Sequence, residues 1–151
     1  MNLTRQAKQF VVALTVGLTA LTPTWAQNMV SIKGSSVNMR ASPSAQADVL
    51  WELEKGYPMK VIKRQGNWLQ VQDFENDRGW VVRSLTANAP HHIVTAKVAN
   101  LRQGPGLNHA VVGRAESMEL LRTLGKKPSW VHVERTTGET GWVSQNLLWG
   151  W

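Results

Sequence analysis

Chemistry in this chain has to come from aromatic rings, arginines and histidines, because the 151 residues include no cysteine. That absence removes thiolate nucleophiles, disulfides, thiolate metal ligands and the lipid-bearing cysteine of a lipoprotein. The four histidines do not converge. His91 and His92 are adjacent, His109 falls in a loop pattern and His132 in a strand pattern, with no third ligand at metal spacing. No nucleophile stands beside a base, and Asp73-Phe74-Glu75-Asn76-Asp77 reads as a solvated turn, not a catalytic carboxylate pair. The sequence therefore predicts no catalytic residue, no metal site and no cofactor. Its unusual feature is the aromatic balance: eight tryptophans beside two phenylalanines and one tyrosine.

The tryptophans need elements to position them, and the first 26 residues are not among those elements. Met1–Gln9 carry Arg5 and Lys8 and no acid, then Phe10–Thr22 is an apolar run of 13 residues. Pro23-Thr24-Trp25-Ala26 follows, with small residues where a signal peptidase cuts. The layout predicts a signal peptide cleaved after Ala26, and hence a periplasmic or secreted protein with no transmembrane anchor after cleavage. A retained membrane helix is the competing reading, but the run is short for a bilayer core of about 30 Å. Losing Arg5 and Lys8 lowers the formal charge from +7 to +5. Neither half of the remainder has a basic run longer than two residues, which argues against a nucleic-acid partner.

The remainder is one pattern written twice. At an offset of 62 with no gap, Asn38, Arg40, Pro43, Val49 and Glu54 fall on Asn100, Arg102, Pro105, Val111 and Glu116. Trp68 and Val71 fall on Trp130 and Val133, Gly79-Trp80-Val81 on Gly141-Trp142-Val143, and Leu85 on Leu147. Chance would match roughly three positions over this span, and two of the matches are tryptophan pairs. The duplication predicts domains at 27–86 and 93–151, joined by a linker at 87–92 that holds Pro90 and the two adjacent histidines.

Each copy reads as short strands separated by turns. Ser36–Arg40 and Lys97–Arg102 alternate and then stop at Ser42-Pro43 and Gly104-Pro105-Gly106. Trp68–Gln72 and Trp130–Glu134 alternate cleanly, each followed by a polar turn and a glycine-led strand. That spacing indicates an all-β barrel or sandwich; only Asp48–Glu54 has the makings of a short helical turn. Residues one apart on a strand face opposite sides. If Leu69 and Val71 line the core, Trp68 points away from it, and Trp80 opposes Val81 in the same way. Trp130 and Trp142 repeat this phase. The expectation is an aromatic floor on each barrel, set against a structural role in which the rings fold over a barrel end or join the copies. Trp51 and Tyr57 occur only in copy one, which makes that copy the better candidate for a groove. Arg40 and Arg102 are expected to tie neighbouring loops, with Gly79 and Gly141 structural beside them. The apolar tail Leu147–Trp151 either touches a membrane or partner, or folds back over a barrel or into the cleft between copies.

Four parts in fixed order, an Asn-x-Arg strand, a Gly/Ser-Pro turn, a Trp-x-x-Val strand and a closing Gly-Trp-Val strand, occur in both copies. Each copy thereby resembles a bacterial SH3 domain. The resemblance departs at Met118, where copy one has Gly56, and at Gly113, where copy one has Trp51. It implies two small SH3-like β-barrels in tandem after a signal peptide. It further implies an exported, non-catalytic module that binds a cell-wall peptide or glycan, or an envelope protein. The alternative is a cell-wall hydrolase, or an accessory subunit of an envelope enzyme complex, with an unrecognised active site. Two copies, a linker and a leader account for the 151 residues, so no attached hydrolase domain is expected. The ligand would be taken by Trp51, Tyr57, Trp68, Trp80, Trp130 and Trp142.

Overall fold

Alternating β-branched and aliphatic residues in runs of four to eight, cut by glycine and proline turns, leave this sequence little choice but strands. A computed structural model describes residues 28–151; the predicted signal peptide lies outside the described residues. The first copy holds β1 (Met29–Ile32), β2 (Ser36–Arg40), β3 (Val49–Glu54), β4 (Pro58–Gln65), β5 (Trp68–Gln72), β6 (Arg78–Val82) and β7 (Thr86–Ala87). The second holds β8 (His91–Val94), β9 (Val98–Arg102), β10 (Val111–Glu116), β11 (Leu120–Lys127), β12 (Trp130–Glu134), β13 (Thr140–Ser144) and β14 (Leu148–Gly150). One turn of 3-10 helix precedes the last strand of each copy. No helix among the described residues is long and apolar enough to cross a membrane.

The two antiparallel sheets have the same strand order, β3-β2-β6-β5-β4-β1-β7 and β10-β9-β13-β12-β11-β8-β14. In the first, one core unites Ile32, Val37, Met39, Leu53, Met59, Val61, Leu69, Val71 and Val81, which come from six strands including the edge strand β3. A sheet whose distant strands share one core has to curl on itself, and that is the barrel geometry expected. The second core repeats it with Val94, Ala99, Leu101, Ala115, Leu121, Val131, Val133 and Val143. Each barrel is small enough that it buries only about 60% of its unfolded surface, so every strand contributes.

Three local expectations change. The linker predicted at 87–92 shrinks to residues 88–90. Ala87 pairs with Ser31, while His91 and His92 belong to β8 and pair with Arg122 and Leu121. A four-residue strand opening on two histidines has too little apolar alternation to be read from sequence. The short helical turn considered for Asp48–Glu54 is strand β3, because its backbone pairs with β2 from Ser36 to Arg40. At Gly56 and Met118 the backbone is left-handed in both copies, with φ of 89° and 69°. The turn is the same in each: the Gly56 N–H donates to Ile32 O, and the Met118 N–H to Val94 O. Copy two thus holds a methionine in a conformation that suits glycine.

The copies also meet. The tail strand β14 pairs with β8 through Leu148–Val94, Trp149–Ile93 and Gly150–His92, and both strands lie against β4 of the first barrel. Ile93 has no exposed surface yet belongs to neither core, which marks a seam between the barrels. Next to it, His92 is buried, with Nδ1 2.7 Å from Thr123 Oγ1. Burial, reinforced by the nearby charge of Lys126, holds its pKa at about 4 against an ordinary 6.5, opposed by a hydrogen bond with the Trp151 backbone.

Two outcomes follow from these features. Met118→Gly removes left-handed strain from an exposed side chain and should stabilise the chain by about 1 kcal/mol, read as a higher Tm. His92 stays neutral in the folded chain down to about pH 4, whereas the unfolded chain protonates it below 6.5. Stability is therefore unaffected by this group above pH 6.5 and falls as pH drops from 6.5 to 4, by on the order of 3 kcal/mol. Urea unfolding across that window should show the slope, and His92→Gln should flatten it. An unchanged slope in the variant would mean that the imidazole is not held neutral by burial.

Candidate functional site

The hairpin β5–β6 sorts its residues by alternation. Leu69, Val71 and Val81 enter the core, so Trp68, Gln70 and Trp80 stand on the other face. Trp80 is opposite Gln70 on one side and Arg40 on the other, and cross-strand partners share a face. Trp68 sits one diagonal step away, opposite Val82. Copy two repeats the row as Arg102–Trp142–His132, with Trp130 on the diagonal opposite Ser144. There the imidazole of His132 stacks on the indole of Trp142, centroids 4.8 Å apart and planes 14° from parallel.

The off-core phase expected for these tryptophans is what the strands show, but they are not equally open. Trp80 is only 9% exposed, while Trp68, Trp130 and Trp142 are half-buried. The sequence fixes which side of a strand a ring takes, whereas exposure depends on the neighbours that curl over it. Beside Trp80 stands Gly79, where a Cβ would meet Met39 Cγ at 2.5 Å and Arg40 O at 3.0 Å. Gly141 is equally tight, with a Cβ 2.7 Å from Leu101 Cβ. These glycines let β6 and β13 cross close over β2 and β9. Arg40 donates from Nη1 to Ala47 O at 2.8 Å. Arg102 donates from Nη1 to Leu107 O at 3.1 Å and His109 O at 2.9 Å. Each arginine thus closes the loop that follows its own strand, with its stem beside the tryptophan.

The remaining copy-one candidates go elsewhere. Trp51 is opposite Met39, on the edge strand β3, and is 54% exposed. The register does not bring it beside Trp80. Val49 and Leu50 are also exposed, so it closes a short apolar edge. Tyr57 is half-buried against the first core. Burial pushes its hydroxyl well above the usual phenol range, and the carboxylates of Asp73, Glu75 and Asp77 add to the shift. The phenol therefore stays neutral beside the carboxylates of the turn between β5 and β6. At the offset of 62, Tyr57 and Asp73 become Glu119 and Arg135. That pair is an ion pair, with Arg135 Nε 2.6 Å from Glu119 Oε1 and Arg135 Nη1 2.5 Å from Glu139 Oε2. The sequence reading missed this exchange, although the simultaneous change of both residues at one offset was its visible trace.

The one carboxylate trio that approaches metal-binding distance among the described residues is Asp73, Glu75 and Asp77, with oxygens within 4.8 Å of one another. Asp73 Oδ1 already accepts from the backbone N–H groups of Glu75 and Asp77, which is turn chemistry.

Comparison with known proteins gives the same division of the chain. Two family profiles, each described as a bacterial SH3 domain, match residues 33–87 and 97–148. The chain is 28% identical to the "Putative N-acetylmuramoyl-L-alanine amidase YrvJ" of Bacillus subtilis, over 93% of this chain and 30% of that protein. It is 36% identical to the "Probable cell wall amidase LytH" of Staphylococcus epidermidis, over 30% of this chain and 16% of that protein. The chain thus spans less than a third of the length of these relatives. Among solved structures, NlpC1 from Trichomonas vaginalis aligns with 80% of this chain and 45% of its own, at 12% identity and a TM-score of 0.37.

The difference in cover between the two outer tryptophans is measurable. Trp80→Ala should cost about 3 kcal/mol in urea unfolding, and Trp68→Ala about 1 kcal/mol. Equal costs would mean that Trp68 is as much a structural ring as Trp80.

Proposed function

The chain belongs to the bacterial SH3 domain family, in two tandem copies, and from that premise we propose that it is a non-catalytic, exported module that binds a peptidoglycan ligand in the periplasm or outside the cell. Bacterial SH3 domains are typical cell-wall binding modules. The observation that carries the reading is the position of Trp68: off the core, accessible, and one diagonal step from Trp80 on the face that Arg40 flanks. An indole there offers an apolar plane and one N–H donor, which suits a sugar ring or a peptide backbone. In copy two, Trp130 and the Trp142–His132 stack repeat the platform with a different polar neighbour, so the two faces suit different parts of one polymer. Linking two weak sites raises retention without new contacts at either.

The hydrolase alternative draws on the relatives named as amidases. The match to the first takes in 93% of this chain but 30% of that protein, and the match to the second takes in 30% of this chain and 16% of that protein. Binding is therefore the activity that the shared region supports best.

Purified wild-type chain should be retained on washed sacculi. Trp68→Ala should keep its circular dichroism spectrum and lose retention at least tenfold, the scale of a truncated aromatic hot spot. Undiminished retention by a folded Trp68→Ala would move the binding surface elsewhere. Retention on an envelope protein and not on sacculi would replace the wall ligand with a protein one. Release of soluble fragments from labelled sacculi would establish the enzyme reading instead.

A further inference from the structure

At the seam of the two copies lies a cleft of about 390 Å³, lined by Lys55, His91, Arg122, Glu134, Arg135 and Thr136 among others. That is within the size range of small-molecule sites. Lys55 comes from the turn between β3 and β4 of the first barrel. Arg122, Glu134, Arg135 and Thr136 come from β11, β12 and the turn after β12. His91 opens β8 and lies against Gly56, where a Cβ would stand 2.8 Å from its Cδ2. The site therefore exists only when both copies are in place, and none of the outer-face tryptophans lines it.

The polar groups of the cleft are partly committed and partly open. Arg122 gives both Nε and Nη2 to a single oxygen, Glu134 Oε2. This leaves Arg122 Nη1 and Glu134 Oε1 without a bond among the described residues. Arg135 is spent on Glu119 and Glu139, and that clamp fixes the turn carrying Thr136. His91 Nδ1 donates to Ala89 O at 2.9 Å, and its Nε2 has no hydrogen-bond partner among the described residues. Lys55 is exposed and has no ion-pair partner among the described residues. Open donors and open acceptors thus share one cleft, and the glutamates beside the arginines make it unsuited to a polyanion. The corresponding residues of copy one, Lys60, Gln72 and Asp73, do not form the same set.

We propose that this cleft is a second binding site, for a small zwitterion: a free amino acid, or a dipeptide with both termini unblocked. The carboxylate would be taken by Lys55 and Arg122 Nη1, and the ammonium by Glu134 Oε1. The paired Arg122–Glu134 couple is held in place before binding, so little ordering is needed when the ligand arrives. This goes beyond the wall-binding reading and stands apart from it, because the residues involved differ from those of the tryptophan face.

The test is a nuclear magnetic resonance titration of the 15N-labelled chain with L-alanyl-L-alanine, its N-acetyl form and its C-terminal amide. The expected result is saturable shifts at Gly56, Arg122, Thr136 and Gly138 with free dipeptide, at a Kd of the order of 1 mM. Both blocked forms and Lys55→Ala should bind about tenfold more weakly, the scale of a lost charge-assisted hydrogen bond. Trp68→Ala should titrate as wild type. Glu134→Gln should lose discrimination against the N-acetyl form, a result that a merely structural role for the carboxylate would not give. No saturable shift, shifts remote from the seam, or equal affinity for all three peptides would overturn the proposal.

Discussion

Two-residue alternation along the hairpins β5–β6 and β12–β13 divides the work of each barrel between two faces. One side supplies Leu69, Val71 and Val81, or Val131, Val133 and Val143, to a core that has no disulfide to reinforce it. The other side is left with Trp68 and Trp80, or Trp130 and Trp142. The glycine before each closing tryptophan makes this possible, because at Gly79 and Gly141 a side chain would strike the crossing strand. A shift of one residue in either hairpin would put the indoles inside and the valines outside. The rest of the molecule follows from that register: the arginine tied to its loop, the row of Arg, Trp and Gln or His, and the diagonal tryptophan.

The two copies keep this frame and change what is attached to it. Tyr57 with Asp73 in the first barrel becomes Glu119 with Arg135 in the second, a half-buried phenol beside a carboxylate exchanged for an ion pair at the same offset. Gln70 opposite Trp80 becomes His132 stacked on Trp142. Trp51 becomes Gly113, where a Cβ would lie 3.2 Å from Glu139 Oε1. The space a larger residue would need in copy two is thus bounded by the carboxylate that Arg135 holds. Such exchanges keep the shared strand order and alter which groups stand on it.

Much of this was legible in the sequence, for physical reasons. The ungapped offset of 62 exposed the duplication, because rare tryptophans and glycines matched in both halves. Alternation exposed β2, β5, β9 and β12, and with them the side each tryptophan takes. What the sequence could not show depends on contacts across distance. The cover over Trp80, the strand character of His91 and His92, and the seam at Ile93 all arise from partners many residues away. Strand β3 was ambiguous because its alternation is broken by three consecutive apolar residues, Val49, Leu50 and Trp51. The cleft beside Lys55 is legible only once two copies are folded against each other.

The central claim is that the tryptophans off the core of the first barrel, and not those of the seam, meet the ligand. Indole N–H resonances separate these groups directly, since each tryptophan of the described chain gives its own signal. On titration with soluble peptidoglycan fragments, the Trp68 and Trp80 signals should move together and saturate, while those of Trp149 and Trp151 stay in place. Movement confined to Trp149 and Trp151, or no movement at Trp68, would contradict the account.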